Sequence, residues 1–159
     1  MKTVFFRVDE KFIHAQFIHG WLPFISAKRV IGVSEKFAND SESRQIYCDA
    51  VPGDIMTSII TPEEAVKNSL GESETERVAV LFSSLEDLKV YYESGGSIKT
   101  LNLGGIYPRE NRRKLLPYIY LSDDEIDFIM KLKRNLTDIY CQDTPHSEQV
   151  EFSNLLAEK

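Results

Sequence analysis

The amino-acid sequence predicts an α/β fold: an open, mostly parallel twisted sheet of about seven strands with helices on both faces. Two observations carry this. Strand-like and helix-like segments alternate almost to the end of the chain, as in right-handed strand–helix–strand crossovers. Several strand candidates are continuous apolar runs, such as Val30-Ile-Gly-Val33 and Val78-Ala-Val-Leu-Phe82, which suits strands covered on both faces. Sheets of this kind bind ligands at the carboxyl ends of their strands.

The first strand candidate, Thr3–Val8, runs into charges at alternate positions, Arg7, Asp9 and Lys11. A helical pattern then spans 14–22, with Phe17, Ile18, Trp21 and Leu22 on its apolar side, and Pro23 is expected to end or kink it. The strand Arg29–Val33 and a helix over 40–50, capped by Asp40 or Ser41, come next. A strand over 54–60 leads into Thr61-Pro-Glu-Glu, which opens a helix: cap, first-turn proline, then acids that suit the helix dipole. The strand Arg77–Phe82, a helix over 84–93 and the strand Thr100–Leu103 follow. The series closes with a strand over 118–121, a helix over 122–134 and a strand over 137–142. The last helix starts with the capping-box pattern Ser122-Asp-Asp-Glu125. Residues 71–76 read as a polar loop, and the tail beyond Thr144 as a terminal helix or a frayed end. Neither a repeat nor a linker interrupts the 159 residues, so residues 1–159 are expected to form one domain.

A hydrophobic share of 42% beside 28% charged residues is that of a soluble globular chain. No apolar run approaches the ~20 residues of a membrane span, and the N-terminus starts in an apparent strand with no basic leader. The net charge of −6 argues against nucleic acid as a partner. Cys48 and Cys141 lack metal-type spacing, so free thiols, no metal and a cytoplasmic location are expected.

Chemistry concentrates at the first strand–helix junction. A histidine there, His14, is a competent nucleophile for phosphoryl transfer, a reaction that depends on positioning and on cationic stabilisation. Arg7 and Lys11 offer positive charge, Asp9 can accept a ring N–H, and Gln16 can hydrogen-bond an oxygen. The same residues equally suit a histidine packed at a helix start beside a surface Arg7–Asp9 ion pair. His19, five positions on, does not share a helical face with His14, which disfavours a metal pair. His146 reads as a loop residue. Gly104-Gly105 after a strand permits a tight turn near a ligand, without the full dinucleotide-binding pattern. Arg109, Arg112, Arg113 and Lys114 form a basic cluster expected on a solvated face.

Arg7-Val-Asp9-Glu-Lys11-Phe-Ile-His14-Ala-Gln16, followed by Gly20-Trp21, resembles the N-terminal signature of IIB components of mannose/sorbose-family sugar phosphotransferase systems (PTS). The resemblance continues through Ala38-Asn39-Asp40, Ala50-Val-Pro52-Gly53, Leu81-Phe82-Ser83, Glu86-Asp87-Leu88 and Leu101-Asn102-Leu-Gly104-Gly105. It implies a phosphohistidine–sugar phosphotransferase that needs no cofactor. His14 would take a phosphoryl group through Nδ1 from phosphorylated IIA and pass it to a sugar entering through the membrane components IIC and IID. The protein would be cytoplasmic and peripherally associated with that transporter. By the same resemblance, Asp9 orients the imidazole, and Arg7, Lys11, Ala15 and Gln16 surround the phosphate. Asn39, Asp40, Ser83, Gly104 and Gly105 would wall the site. One antiparallel strand is implied near the C-terminus and is assigned to residues 137–142. Lys11 and Ala15 replace an arginine and a glycine of the signature, which motivates an alternative: a non-catalytic or regulatory binding module on the same fold.

Overall fold

A computed structural model describes residues 3–68, 70, 76–135 and 137–156. Among these, seven strands form one sheet: β1 (Thr3–Val8), β2 (Arg29–Val33), β3 (Met56–Ile60), β4 (Arg77–Phe82), β5 (Thr100–Leu103), β8 (Asp138–Cys141) and β9 (Val150–Glu151). Their order is β3-β2-β4-β1-β5-β8-β9. All neighbours are parallel except β8 and β9.

Two expectations change here. The strand read at 137–142 is β8 and runs parallel to β5; the antiparallel strand is the two-residue β9, hidden in what read as a tail. The strand read at 118–121 lies outside the main sheet. Its core, β7 (Ile119–Leu121), pairs antiparallel with β6 (Arg113–Leu116) in a separate two-stranded ribbon. Strand pairing is decided by contacts distant in sequence, which local patterns do not carry. Residues 71–75 of the expected acidic loop lie outside the described residues.

Helices cover both faces. The main core lies under α4 (Pro62–Lys67), α5 (Leu85–Glu93), α6 (Asp123–Arg134) and α7 (Phe152–Leu156), and includes Phe6, Val8, Leu88, Tyr91, Ile129 and Phe152. The opposite core packs Phe17, Ile18, Trp21 and Leu22 against Val30, Ala79 and Leu81. It is flanked by α2 (Glu35–Ala38) and α3 (Ser41–Ala50). Caps follow the sequence: Thr61, Ser84 and Ser122 each accept a backbone N–H three residues on, and the Ser122–Glu125 capping box is complete. Asp40 instead accepts the Ser43 hydroxyl.

The helix after His14 does not stop at Pro23. Its Phe17–Trp21 turn widens to a π-helix, with Leu22 N–H bonded to Phe17 O, and α1 (Leu22–Ile25) continues to Ser26. A proline ring clashes with the carbonyl four residues back, and the wider turn relieves that clash.

Gly32 on β2 admits an aromatic ring from the first loop. A Cβ there would lie 2.6 Å from Phe12 Cζ and 3.2 Å from Ile59 Cγ1. Phe12 is fully buried, stacks on Phe37 and meets Tyr47 edge to face. Gly32→Ala is therefore expected to overpack this core and cost about 2 kcal/mol in urea unfolding, with an unchanged denaturant slope. A neutral result would mean that the Phe12 ring has room to move.

Candidate functional site

The connection after β1 runs to β2 on one side, and that after β5 runs to β8 on the other. This makes the crevice between the carboxyl ends of β1 and β5 the topological switch point, where open α/β sheets take their ligands. Loop 9–14 and the Gly104-Gly105 turn meet there. Gly104 N–H donates to Val8 O at 2.8 Å, and Glu10 N–H donates to Gly105 O at 2.7 Å.

Arg7, expected at the phosphate, is instead sealed beneath the site at 1% exposure. All five of its N–H donors are engaged. They reach Asp9 Oδ2, from Nη2 at 3.1 Å and Nε at 3.4 Å, the Asn102 side-chain oxygen, and the carbonyls of Gln142 at 2.8 Å and Asp143 at 3.0 Å. Trp21 covers the guanidinium, with 4.9 Å from Cζ to ring centroid. A Cβ at Gly104 would fall 2.3 Å from Arg7 Cζ, so this position must be glycine for the guanidinium to lie where it does. Burial pulls the Arg7 guanidinium below its ordinary value, and the Asp9 carboxylate opposes that shift.

Asp9 is as buried as Arg7. Its Oδ1 accepts Lys11 N–H at 3.0 Å and its Oδ2 lies 3.0 Å from His14 Nε2. Burial alone would raise the Asp9 carboxyl; the His14 hydrogen bond and the Arg7 charge outweigh it and hold the group below its ordinary range. An ionised Asp9 accepts a proton-bearing Nε2, which leaves the lone pair on Nδ1. Nδ1 makes no hydrogen bond among the described residues, and the half-buried ring opens to solvent.

Between Asp9 and His14 the chain turns sharply. Phe12 N–H donates to Asp9 O at 2.9 Å, and Phe12 adopts a left-handed φ of 59°. Such a backbone costs about 1–3 kcal/mol in a non-glycine residue; the buried Phe12 ring offsets it. The turn leaves Lys11 exposed, with Nζ 5.3 Å from the Tyr107 ring centroid. Ala15 is exposed in the first helical turn and has no positive φ, so the backbone there does not require glycine. Gln16 donates to Asp143 Oδ1 at 3.4 Å.

Three expected wall residues point into other networks. Asn39 bonds to Glu35, and Asp40 to Ser43. The Ser83 hydroxyl bonds to Ser34 and to Asp87, a nearly buried carboxylate that also receives Glu35 N–H. The basic cluster is also split. Arg112 is buried rather than solvated, forked onto Glu125 at 2.8–2.9 Å and bonded to Glu10 at 3.0 Å. Arg109 stays exposed against Glu10 and Glu86. Among the described residues no group of three metal-ligating side chains occurs, and no helix is long and apolar enough to cross a membrane. Cys48 and Cys141 are free, and burial pushes the Cys141 thiol up to about 12.

The family model of the PTS system sorbose subfamily IIB component matches residues 3–159. The chain belongs to this family. Among its relatives, the fructose-specific EIIB component of Bacillus subtilis is 25% identical over 158 residues, 98% of this chain and 96% of the relative. The sorbose-specific EIIB component of Klebsiella pneumoniae is 27% identical over 84% of this chain and 82% of the relative. The mannose-specific EIIAB component of Escherichia coli K12 is 23% identical over 79% of this chain, which is 39% of that longer protein. The crystal structure of the Klebsiella IIBSor domain superposes with a TM-score of 0.89 at 23% identity, covering 100% of this chain and 98% of the other. That of manxB from Thermoanaerobacter tengcongensis gives 0.88 at 27% identity, covering 99% and 97%.

Within this IIB fold, residues that sequence reasoning passed over frame the site. Asp143 offers its carbonyl to both Arg7 and Trp21 Nε1. Glu10 binds Tyr107 N–H at 2.8 Å as well as Arg112. No local pattern marks these residues, because their partners lie 97 to 136 positions away.

The lowered Asp9 carboxyl has a sign that can be measured. Its folded value lies below its unfolded one, so its contribution is complete above about pH 4 and is lost as pH falls through the folded value. In urea unfolding, the stability gap between wild type and Asp9→Asn is expected to be widest near neutral pH and to narrow in acid. A constant gap from about pH 3 to about pH 7 would contradict the ionised-carboxylate reading.

Proposed function

We propose that this IIB component carries a phosphoryl group on Nδ1 of His14. It would receive the group from phosphohistidine on a IIA partner and deliver it to a sugar hydroxyl presented by the IIC and IID membrane components. The observation that carries this is the Asp9–His14 contact: it commits Nε2 to the protein and leaves Nδ1 as the open nitrogen at the switch point. Family membership and the name EIIAB of one relative support IIA as the donor. The place of work is the cytoplasmic face of the transporter.

In the first step Nδ1 bonds to phosphorus as the donor's N–P bond breaks. The ring gains positive charge, which the Asp9 carboxylate stabilises through Nε2–H. In the second step the Nδ1–P bond breaks while the sugar oxygen bonds to phosphorus, its proton is released, and the imidazole returns to neutral. Arg7 acts through Asp9 as a positioning residue, since its donors are engaged. Lys11 forms no salt bridge among the described residues and is the cation free to meet the phosphoryl oxygens. The helix that starts after His14 adds first-turn N–H groups without intrahelical acceptors.

Incubation with phosphorylated IIA is expected to label wild type and leave His14→Ala unlabelled; equal labelling of both would refute the carrier role. Restored sugar uptake in a strain lacking its own IIB would exclude the non-catalytic alternative. Lys11→Arg, which restores a two-pronged donor, is expected to raise the transfer rate by up to about tenfold. An unchanged or lower rate would show lysine to be the adapted residue.

A further inference from the structure

We propose that the Tyr107 hydroxyl is a phosphoryl ligand: together with Lys11 it hydrogen-bonds the oxygens of the group carried on His14. The inference rests on the carrier reading above and extends it to a residue on a different segment of the chain.

Tyr107 is clamped from both sides of its backbone. Its N–H donates to Glu10 Oε1 at 2.8 Å, and its carbonyl accepts Arg112 Nη1 at 2.8 Å. The preceding residue, Ile106, is fully buried and donates to Tyr118 O at 2.9 Å. The ring folds back over the Gly104-Gly105 turn, where a Cβ on Gly105 would stand 2.2 Å from the Tyr107 hydroxyl oxygen. The two glycines thus serve two residues: Gly104 makes room for the Arg7 guanidinium, and Gly105 for the phenol. Because Gly105 O is bonded to Glu10 N–H, the phenol stands beside loop 9–14, and Lys11 Nζ lies over its face.

What distinguishes this hydroxyl is that nothing in the protein uses it. Among the described residues it has no hydrogen-bond partner, and Lys11 Nζ has no carboxylate. Of the neighbouring charges, Arg7 is matched with Asp9 and Glu10 with Arg109 and Arg112, and the Asp143 carboxylate accepts the Gln16 amide. A spare ammonium on the loop that carries His14 and a spare O–H on the ring beneath that ammonium form a receptor for an anion. Burial, then the Asp9 and Asp143 charges, push the phenol above its ordinary value, so it stays an O–H donor.

Tyr107→Phe removes one oxygen and keeps the ring under Lys11, so the thermal midpoint is expected to match wild type. The full chain is phosphorylated by phospho-IIA, and the initial rate is followed against donor concentration. We expect the maximal rate to fall by about tenfold, the scale of one charged hydrogen bond, with the half-saturating donor concentration unchanged. The ³¹P resonance of phospho-His14 is expected to shift in the variant. A wild-type maximal rate with an unmoved ³¹P resonance would overturn the proposal while leaving the carrier role intact. A wild-type chain that takes no label at all would overturn both.

Discussion

The buried guanidinium of Arg7 is the constraint on which the site depends. A charge at 1% exposure is tolerable only when its donors are satisfied. Satisfying five of them fixes the surroundings in turn: Asp9 must be ionised, Gly104 must lack a side chain, and the chain leaving β8 must offer two carbonyls. Trp21 then closes the remaining side and brings the helix after His14 into register with the sheet. The His14 ring is placed last, by the carboxylate that the arginine has already oriented.

Loop 9–14 holds that geometry because it is anchored rather than merely short. Phe12 accepts a left-handed backbone in order to bury its ring between β2, α2 and α3, and so splits the loop into two arms. One arm presents Lys11 and the other His14. Phosphoryl transfer asks for little covalent chemistry from a protein and much positional accuracy, and on the carrier reading the strain at Phe12 would serve to hold the His14 ring in place. It also links the site to Gly32 on β2, two strands away from β1, a residue with no chemistry of its own.

Legibility in the sequence followed the range of the interactions. The strands β1 to β5 and the Ser122–Glu125 capping box were readable, since each rests on local periodicity or spacing, and the resemblance put Gly104-Gly105 beside loop 9–14. Arg7 was not: an arginine near a strand end reads as exposed unless the carbonyls of Gln142 and Asp143 are known to arrive beside it. Arg112 misled in the same way, its run of basic neighbours concealing a carboxylate pair supplied by Glu10 and Glu125. The positive φ of Phe12 had no sequence signal at all, since no glycine or asparagine marks the turn. The antiparallel strand near the C-terminus is the two-residue β9, too short for any periodicity to show.

The same pairing resolves an electrostatic difficulty. The chain carries a net charge of −6, and Asp9, Glu10 and Asp143 all border the crevice where a phosphoryl dianion would sit. Unscreened, three carboxylates would repel it. Each is instead engaged from the protein side: Asp9 by Arg7, Glu10 by Arg112 and Arg109, and Asp143 by the Gln16 amide. The guanidinium fork of Arg112 extends this pairing to Glu125 at the start of α6, so the segment bearing Tyr107 is braced against a helix as well as against the loop. With Asp9 and Glu10 paired to arginines, Lys11 offers a positive charge beside Tyr107 that no carboxylate among the described residues takes up. On the carrier reading, such a charge would favour a phosphate locally on a protein whose overall charge disfavours it, since screening limits the repulsion from distant acids.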